Sequence, residues 1–422
     1  MCCTGRRTSD EAFMNTHYDT LETRSAEQRE GELFAALPAQ IAHAKTNAPY
    51  FAALLTGIEP RDVASRKALA KLPVTRKSDL VELQKQQLPF GGLNAIAPGK
   101  LARLFVSPGP IYDAEGRGRD FWRTARVMFA AGFRAGDVVH NTFSYHLTPA
   151  GSMFETGAHA LGCAVIPAGT GQTEMQLATI AALKPCAYAG TPSFLKLLIE
   201  KADESSGDIS SIKKAIVSGE AFLASARELF KARGVDAYQA YGSADLGMIA
   251  YESIAREGLI LNENIIVEIV RPGTGDPVAD GEVGEVVVTT FNRDYPLIRF
   301  ATGDLSAVLA GTSPCGRTNI RIKGWMGRAD QTTKVRGMFV HPHQIAEIVK
   351  RHPVILKARL NVSHLDAADA MVLICETSAA VDEDAVKNSI RDITKLRGDV
   401  RLVASGALPN DGKVIEDCRT YN

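Results

Sequence analysis

Four short segments hold residue types that could handle a nucleotide. Phe105-Val106-Ser107-Pro108-Gly109-Pro110 is an apolar run ending in small residues, followed by Tyr112 and Glu115-Gly116-Arg117-Gly118. At the end of a strand and before a helix, Ser107 and Gly109 would offer backbone N–H groups to an anion; a tight turn without a ligand explains the same residues. Ile216-Val217-Ser218-Gly219-Glu220-Ala221 reads as a buried strand followed by small residues, where glycine lets a flat ring lie close to the backbone. In Tyr238-Gln239-Ala240-Tyr241-Gly242-Ser243-Ala244-Asp245, a phenol ring could stack on a base, and a carboxylate four residues on could hold Mg²⁺. Core packing accounts for that tyrosine equally well. Asp304, within Thr302-Gly303-Asp304-Leu305, can accept two hydrogen bonds from a ribose diol; a turn carboxylate is the plainer account. Gly327-Arg328-Ala329-Asp330 follows it.

The composition narrows what these segments can serve. The chain has 422 residues, 45% hydrophobic and 23% charged, enough for at least two packed cores. Lys plus Arg and Asp plus Glu number 48 each, so no basic excess points to a nucleic-acid partner. No apolar run approaches the roughly 18 residues that cross a bilayer. Two arginines near the N-terminus have no apolar stretch behind them, so neither a secretory signal nor a membrane partner is expected, and the location expected is cytoplasmic. Seven cysteines without a CxxC pair argue for free thiols over a disulfide framework or a four-cysteine zinc site. His341 and His343 flank Pro342, which suggests a turn more than a metal pair. The sequence has no GxxxxGK[ST], no GxGxxG after a strand, no HExxH and no GxSxG, which removes support for P-loop ATPases, dinucleotide dehydrogenases, zincins and α/β-hydrolases.

The elements that must position the segments follow from periodicity. Glu32–Ala44 and Asp79–Gln87 carry apolar residues at helical spacing. Leu104–Val106, Val138–His140, Ala164–Pro167, Ala187–Ala189 and Ala215–Val217 are apolar runs of strand length, separated by stretches of helical period such as Phe121, Ala125, Met128 and Phe129. That alternation predicts an α/β fold with mainly parallel sheets and helices on their faces. Beyond about 255, Leu259–Val270 and Glu285–Thr290 around Gly/Pro/Asp turns predict a β subdomain over about 255–325. Gln344–Lys350 reads as a helix, Ala358–Val362 and Met371–Cys375 as strands, and Val386, Ile390 and Ile393 as one helix stripe, together a small α+β unit.

In order and spacing the four segments resemble the adenylate-forming superfamily of acyl-CoA synthetases, most closely its phenylacetate-CoA ligase branch. The resemblance extends through His140-Asn141-Thr142-Phe143-Ser144-Tyr145, Pro167-Ala168-Gly169-Thr170-Gly171, Lys334-Val335-Arg336-Gly337-Met338-Phe339-Val340-His341-Pro342 and Leu408-Pro409-Asn410-Asp411-Gly412-Lys413. It implies a large N-terminal AMP-binding domain over 1–329 and a small mobile α+β C-terminal domain over 330–422. It also implies ATP-dependent activation of a carboxylate through an acyl-adenylate, with transfer to coenzyme A. The implied small molecules are ATP or AMP, Mg²⁺, coenzyme A and a small aromatic carboxylic acid, bound by a monomer or homodimer.

Carried over position by position, Tyr241, with Gly242 and Ser243, would meet adenine, and Ser218, Gly219 and Glu220 would line its slot. Asp304 would bind the ribose hydroxyls beside Arg328, Asp245 would ligand Mg²⁺, and Lys413 would bridge substrate carboxylate and α-phosphate. Asp330 would be the hinge, and Arg336 and Gly337 would border the pantetheine tunnel. Phe143, Tyr145, His146, Gly190 and Thr191 are the implied acyl-pocket wall.

Two departures stand out. The family's phosphate loop, rich in Ser, Thr and Gly with a lysine, is here Val106-Ser107-Pro108-Gly109-Pro110-Ile111-Tyr112-Asp113, where two prolines remove N–H donors and the lysine is gone. Asp113 and Glu115 would repel a polyphosphate, with Arg117 and Arg119 near enough to compensate. The adenine motif ends Ser-Ala-Asp, without the second hydroxyl and with a shorter acid. Three readings follow: an aryl- or arylacetyl-CoA ligase, an adenylating enzyme serving a carrier protein or other acceptor, and a nucleotide-binding relative without catalysis.

Overall fold

The apolar runs between 100 and 245 fold as strands whose alternate residues serve opposite faces of one sheet. A hairpin comes first, β1 (Arg103–Ser107) and β2 (Ile111–Glu115). Then follow β3 (Val138–Asn141), β4 (Ala164–Pro167), β5 (Ala187–Gly190), β6 (Lys214–Val217), β7 (Asp236–Ser243) and β8 (Gly247–Tyr251). Strands β3 to β7 pair in parallel in the order β4-β3-β5-β6-β7, and β8 adds antiparallel to β7. The helices between them are α1 (Thr124–Ala130), α2 (Ala150–Leu161), α3 (Thr173–Leu183), α4 (Pro192–Ser205) and α5 (Ala224–Ala232).

Strand period 2 explains the two cores. Ala187, Ala189 and Ile216 face a cluster with Val127, Met128, Phe143 and Phe154. Tyr188, Ala215 and Val217, one residue out of step, face Leu195, Leu198, Ile199 and Phe230. The α/β architecture read from the sequence is the one observed.

The computed structural model describes residues 16–107, 110–329, 331, 333–336, 338–365, 368–409, 411 and 413–419. These fall into two compact units. One holds the chain up to 267 with 288–300 and 309–324, the other 268–287, 301–308 and 325 onward. In the second, Ile355–Leu365 and Ala368–Thr377 pair antiparallel, flanked in parallel by Ile415–Asp417 and Asp399–Val403. Helices Pro342–Arg351 and Glu383–Thr394 share its core through Ile345, Ile348, Val386 and Ile390, packed with Leu360, Val362 and Leu373.

Two expectations need correction. The segment after Phe105 does not run from strand through loop into a helix; it turns back at Pro110 as β2, in register Ser107↔Ile111 and Phe105↔Asp113. Leu259–Val270 is two strands, Leu259–Leu261 and Ile265–Val270, in different sheets. The break is polar: Asn262 donates to the Arg123 carbonyl at 2.9 Å, Glu263 accepts from Arg29 at 3.1 Å, and Asn264 takes φ +61°. Among the described residues no helix is long and apolar enough to cross a membrane.

Candidate active site

In an open parallel sheet, ligands bind beyond the C-terminal strand ends where the strand order reverses. Here β3 connects outward to β4, and β5 returns on the other side of β3, so the reversal lies between β3 and β5. At and just beyond the ends of these strands lie Thr142, Phe143, Gly190 and Thr191, with Ser218–Glu220 after the neighbouring β6.

Their side chains are tightly interlocked. Thr142 Oγ1 and the Tyr188 hydroxyl lie 2.8 Å apart, and Tyr188 donates to the Thr191 carbonyl at 3.1 Å. A Cβ on Gly190 would overlap both oxygens, so only glycine fits there. Thr191 caps α4, accepting from Phe194 N–H at 3.3 Å, and Glu220 accepts from Ser193 N–H at 2.5 Å, a carboxylate at a helix N-terminus. Ser218 donates to the Ala240 carbonyl at 2.8 Å, which ties β6 to β7. Gly219 is exposed at φ +86°, with Thr191 and Phe143 as its nearest neighbours. Tyr241 lies on β7, 9% exposed, followed by half-buried Gly242 and Ser243.

The residues expected to wall an acyl pocket differ in their surroundings. Phe143 is buried and stacked on Phe154, ring centroids 4.4 Å apart, so it belongs to the core as well as to the strand edge. Tyr145 accepts from Asn141 Nδ2 at 2.7 Å, and burial with the nearby Glu155 raises its phenol pKa. His146 is exposed; its backbone N–H donates to Ser144 Oγ at 3.2 Å.

A buried acid pair lies beneath the hairpin. Asp113 and Asp245 are almost wholly inaccessible, and Lys77 Nζ reaches Asp245 Oδ2 at 2.5 Å. Among the described residues both Asp113 oxygens and Asp245 Oδ1 lack a well-formed hydrogen bond, although the Ser107 and Asp245 side chains interact with the Asp113 carboxyl. Burial first, and then the neighbouring Asp245 carboxylate, push the Asp113 carboxyl up to about 8, so it carries a proton at neutral pH. Glu115 is buried too, bound to Arg103 at 3.1 Å and Ser152 Oγ at 2.7 Å. Both acids are therefore shielded from solvent. Arg117 and Arg119 donate to the Lys100 and Ala160 carbonyls at 3.0 and 2.8 Å. Ser107 is buried, with its hydroxyl 3.3 Å from the Ile111 carbonyl; Gly109 lies outside the described residues.

The second unit holds the other acids and bases. Asp304 pairs with Arg328 as an antiparallel bridge, and Arg328 Nη1 meets Asp304 Oδ1 at 2.7 Å. Lys413 is about half exposed and binds Glu416 at 2.7 Å, a contact that raises its pKa. Arg336, at φ +48°, donates from its backbone and from Nε to Asp369, both at 2.8 Å. Asp330 and Gly337 lie outside the described residues.

Comparison with known proteins decides the family. The AMP-binding enzyme family matches residues 119–292. The phenylacetate-coenzyme A ligase of Aromatoleum evansii is 33% identical over 74% of this chain and 73% of that enzyme. That of Escherichia coli strain K12 is 30% identical over 97% and 98%. The chain belongs to the phenylacetate-coenzyme A ligase family. An open conformation of 2-hydroxyisobutyryl-CoA ligase shares the fold, with a TM-score of 0.71 at 24% identity over 96% of this chain and 94% of that one.

Asp245, the residue expected to ligand Mg²⁺, is held in an ion pair with Lys77. Its carboxylate is already neutralised by an ammonium, its side chain is 1% exposed, and among the described residues no group of three or more His, Cys, Asp or Glu is placed to hold a metal. Sequence reasoning missed Lys77, a lone lysine in Thr75-Arg76-Lys77-Ser78 with no local signal. It also missed Trp325, whose place two residues before Gly327-Arg328 was the available clue.

Proposed function

We propose that this protein is an ATP-dependent acid–coenzyme A ligase for an aryl or arylacetic carboxylate. The substrate oxygen attacks the α-phosphorus of ATP and pyrophosphate leaves, giving an acyl-adenylate. The thiol of coenzyme A, as it loses its proton, then attacks the acyl carbon and AMP leaves. The observation that carries this reading is the 30% identity to a phenylacetate-coenzyme A ligase over nearly the full length of both chains.

In this reading Tyr241 meets the adenine ring, with Gly242 and Ser243 beside it and Ser218, Gly219 and Glu220 lining its slot. Asp304 accepts from the ribose diol, held by Arg328. Lys413 supplies a point charge on a flexible stem to carboxylate and α-phosphate, which lowers the cost of bringing two anions together. Asp330 is the pivot between a domain over 1–329 and a mobile one over 330–422, and Arg336 and Gly337 border the path of the thiol. Gly190 and Thr191 line the acyl pocket with Phe143, Tyr145 and His146. No step is assigned to a metal.

A panel of aromatic acids tests the proposal, with pyrophosphate and AMP release followed with and without coenzyme A. At least one acid is expected to support pyrophosphate exchange alone and thioester formation once coenzyme A is added. Exchange without thioester would favour a carrier protein as acceptor. AMP binding without exchange for any acid would overturn catalysis.

A further inference from the structure

The chain has two tryptophans with opposite surroundings. Trp122 is wholly buried, whereas Trp325 is 51% exposed. An indole left half in water gains little from packing, so its orientation must come from a specific contact. Trp325 has one: its Nε1 donates to Asp304 Oδ1 at 3.2 Å, the oxygen that Arg328 Nη1 reaches at 2.7 Å.

Backbone pairing builds this arrangement. Met326 N–H donates to the Leu305 carbonyl, Leu305 N–H to the Gly327 carbonyl, both at 2.9 Å, and Ala329 N–H to the Gly303 carbonyl at 2.7 Å. Two donors three residues apart thus converge on one acid. Gly303, at φ +77°, keeps the approach open: a Cβ there would lie 2.7 Å from Arg328 Nη2.

Two donors on a single oxygen fix the rotation of a carboxylate. A carboxylate with fixed rotation recognises a cis-diol by geometry, because both hydroxyls must donate along set directions. We propose that Trp325 is a positioning and specificity-determining residue for the nucleotide sugar: its N–H sets the Asp304 carboxylate and its exposed ring covers the bound ribose. The inference rests on Asp304 as the ribose anchor.

Calorimetry with AMP and 2′-deoxy-AMP tests it on the full chain, comparing wild type with Trp325→Phe, Trp325→Ala and Asp304→Ala. Loss of one hydrogen bond to a charged acceptor is expected to weaken AMP binding about tenfold in Trp325→Phe, and more in Trp325→Ala. The preference for AMP over 2′-deoxy-AMP should shrink in both, which a merely structural role would not produce. A second readout needs no substitution. With Trp122 buried, acrylamide quenching reports Trp325, and AMP should protect it.

Unchanged affinity and unchanged sugar preference in both Trp325 variants, with Asp304→Ala still losing AMP, would overturn the inference and leave the ribose anchor standing. So would unaltered quenching in wild type saturated with AMP. If wild type binds no AMP, or Asp304→Ala binds it normally, the ribose reading fails and the inference falls with it.

Discussion

Lys77 Nζ sits 2.5 Å from Asp245 Oδ2 across 168 residues of chain, and it is the cation that permits two carboxyl groups to share a dry site. Asp245 would otherwise be a buried anion beside Asp113. The phenol of Tyr295 registers the same surroundings, its pKa raised by burial and then by both acids. A proton on Asp113 and an ammonium on Asp245 leave the cluster close to neutral, as low-polarity surroundings require.

Replacing Lys77 by methionine should therefore destabilise the large unit. Breaking a buried ion pair from one side costs roughly 3–5 kcal/mol, and because the lysine side chain is 24% exposed the loss should fall toward 2 kcal/mol or so. Urea unfolding at neutral pH measures it. Asp245→Asn in the same background should recover much of the loss, because it removes the stranded charge. An unchanged midpoint in Lys77→Met would show that the pair contributes nothing.

Asp113 gives stability a pH dependence of definite sign. Its carboxyl, ordinarily near 3.8, is pushed up to about 8 by burial and by Asp245. Between those values the folded chain holds a proton that the unfolded chain has released, so stability declines as pH rises, by up to about 1.4 kcal/mol per pH unit from this group. Asp113→Asn, neutral at every pH, should unfold like wild type near pH 4 and be the more stable of the two at pH 8. Parallel slopes for the two proteins across that range would refute the protonated state.

Much of this architecture is legible from the sequence, because short apolar runs between helical stretches leave few alternatives to a parallel sheet. Ala164–Pro167 spans the same residues in both readings, and Ala215–Val217 differs by one. The hairpin is different. In Ile111–Glu115 the residues that turn inward include two acids, the reverse of the usual pattern, and their partners lie far along the chain: Asp245 for one, Arg103 and Ser152 for the other. The Ser-Pro-Gly-Pro composition also reads as a loop, since prolines are rare within ladders; Pro110 falls at the turn. Such pairings are tertiary, and a linear pattern carries no trace of them.

Gly190→Ala tests the packing at the strand-order reversal. The added methyl would collide with Thr142 Oγ1 and the Tyr188 ring and hydroxyl, all held in place by mutual hydrogen bonds. Overpacking of this kind costs about 1–3 kcal/mol, read as a lowered denaturation midpoint. Thr142→Ala, which removes the nearest oxygen, should return part of it. If Gly190→Ala melts like wild type, the strand ends there are looser than the geometry requires.

Lys413→Ala separates chemistry from folding. The lysine is about half exposed, and its contact is Glu416 three residues on, a surface ion pair of the kind worth roughly 0–1 kcal/mol. The variant should therefore melt within a degree or two of wild type. If Lys413 brings its charge to the attacking carboxylate and the α-phosphate, that stable variant should lose pyrophosphate exchange by a factor of a hundred or more, within the range for removing one preorganised charge stabiliser. It should still convert a pre-made acyl-adenylate and coenzyme A to thioester, because that half-reaction has no α-phosphorus attack to assist. Equal loss of both half-reactions would assign Lys413 a general role in closing the site, and undiminished exchange would remove it from the chemistry.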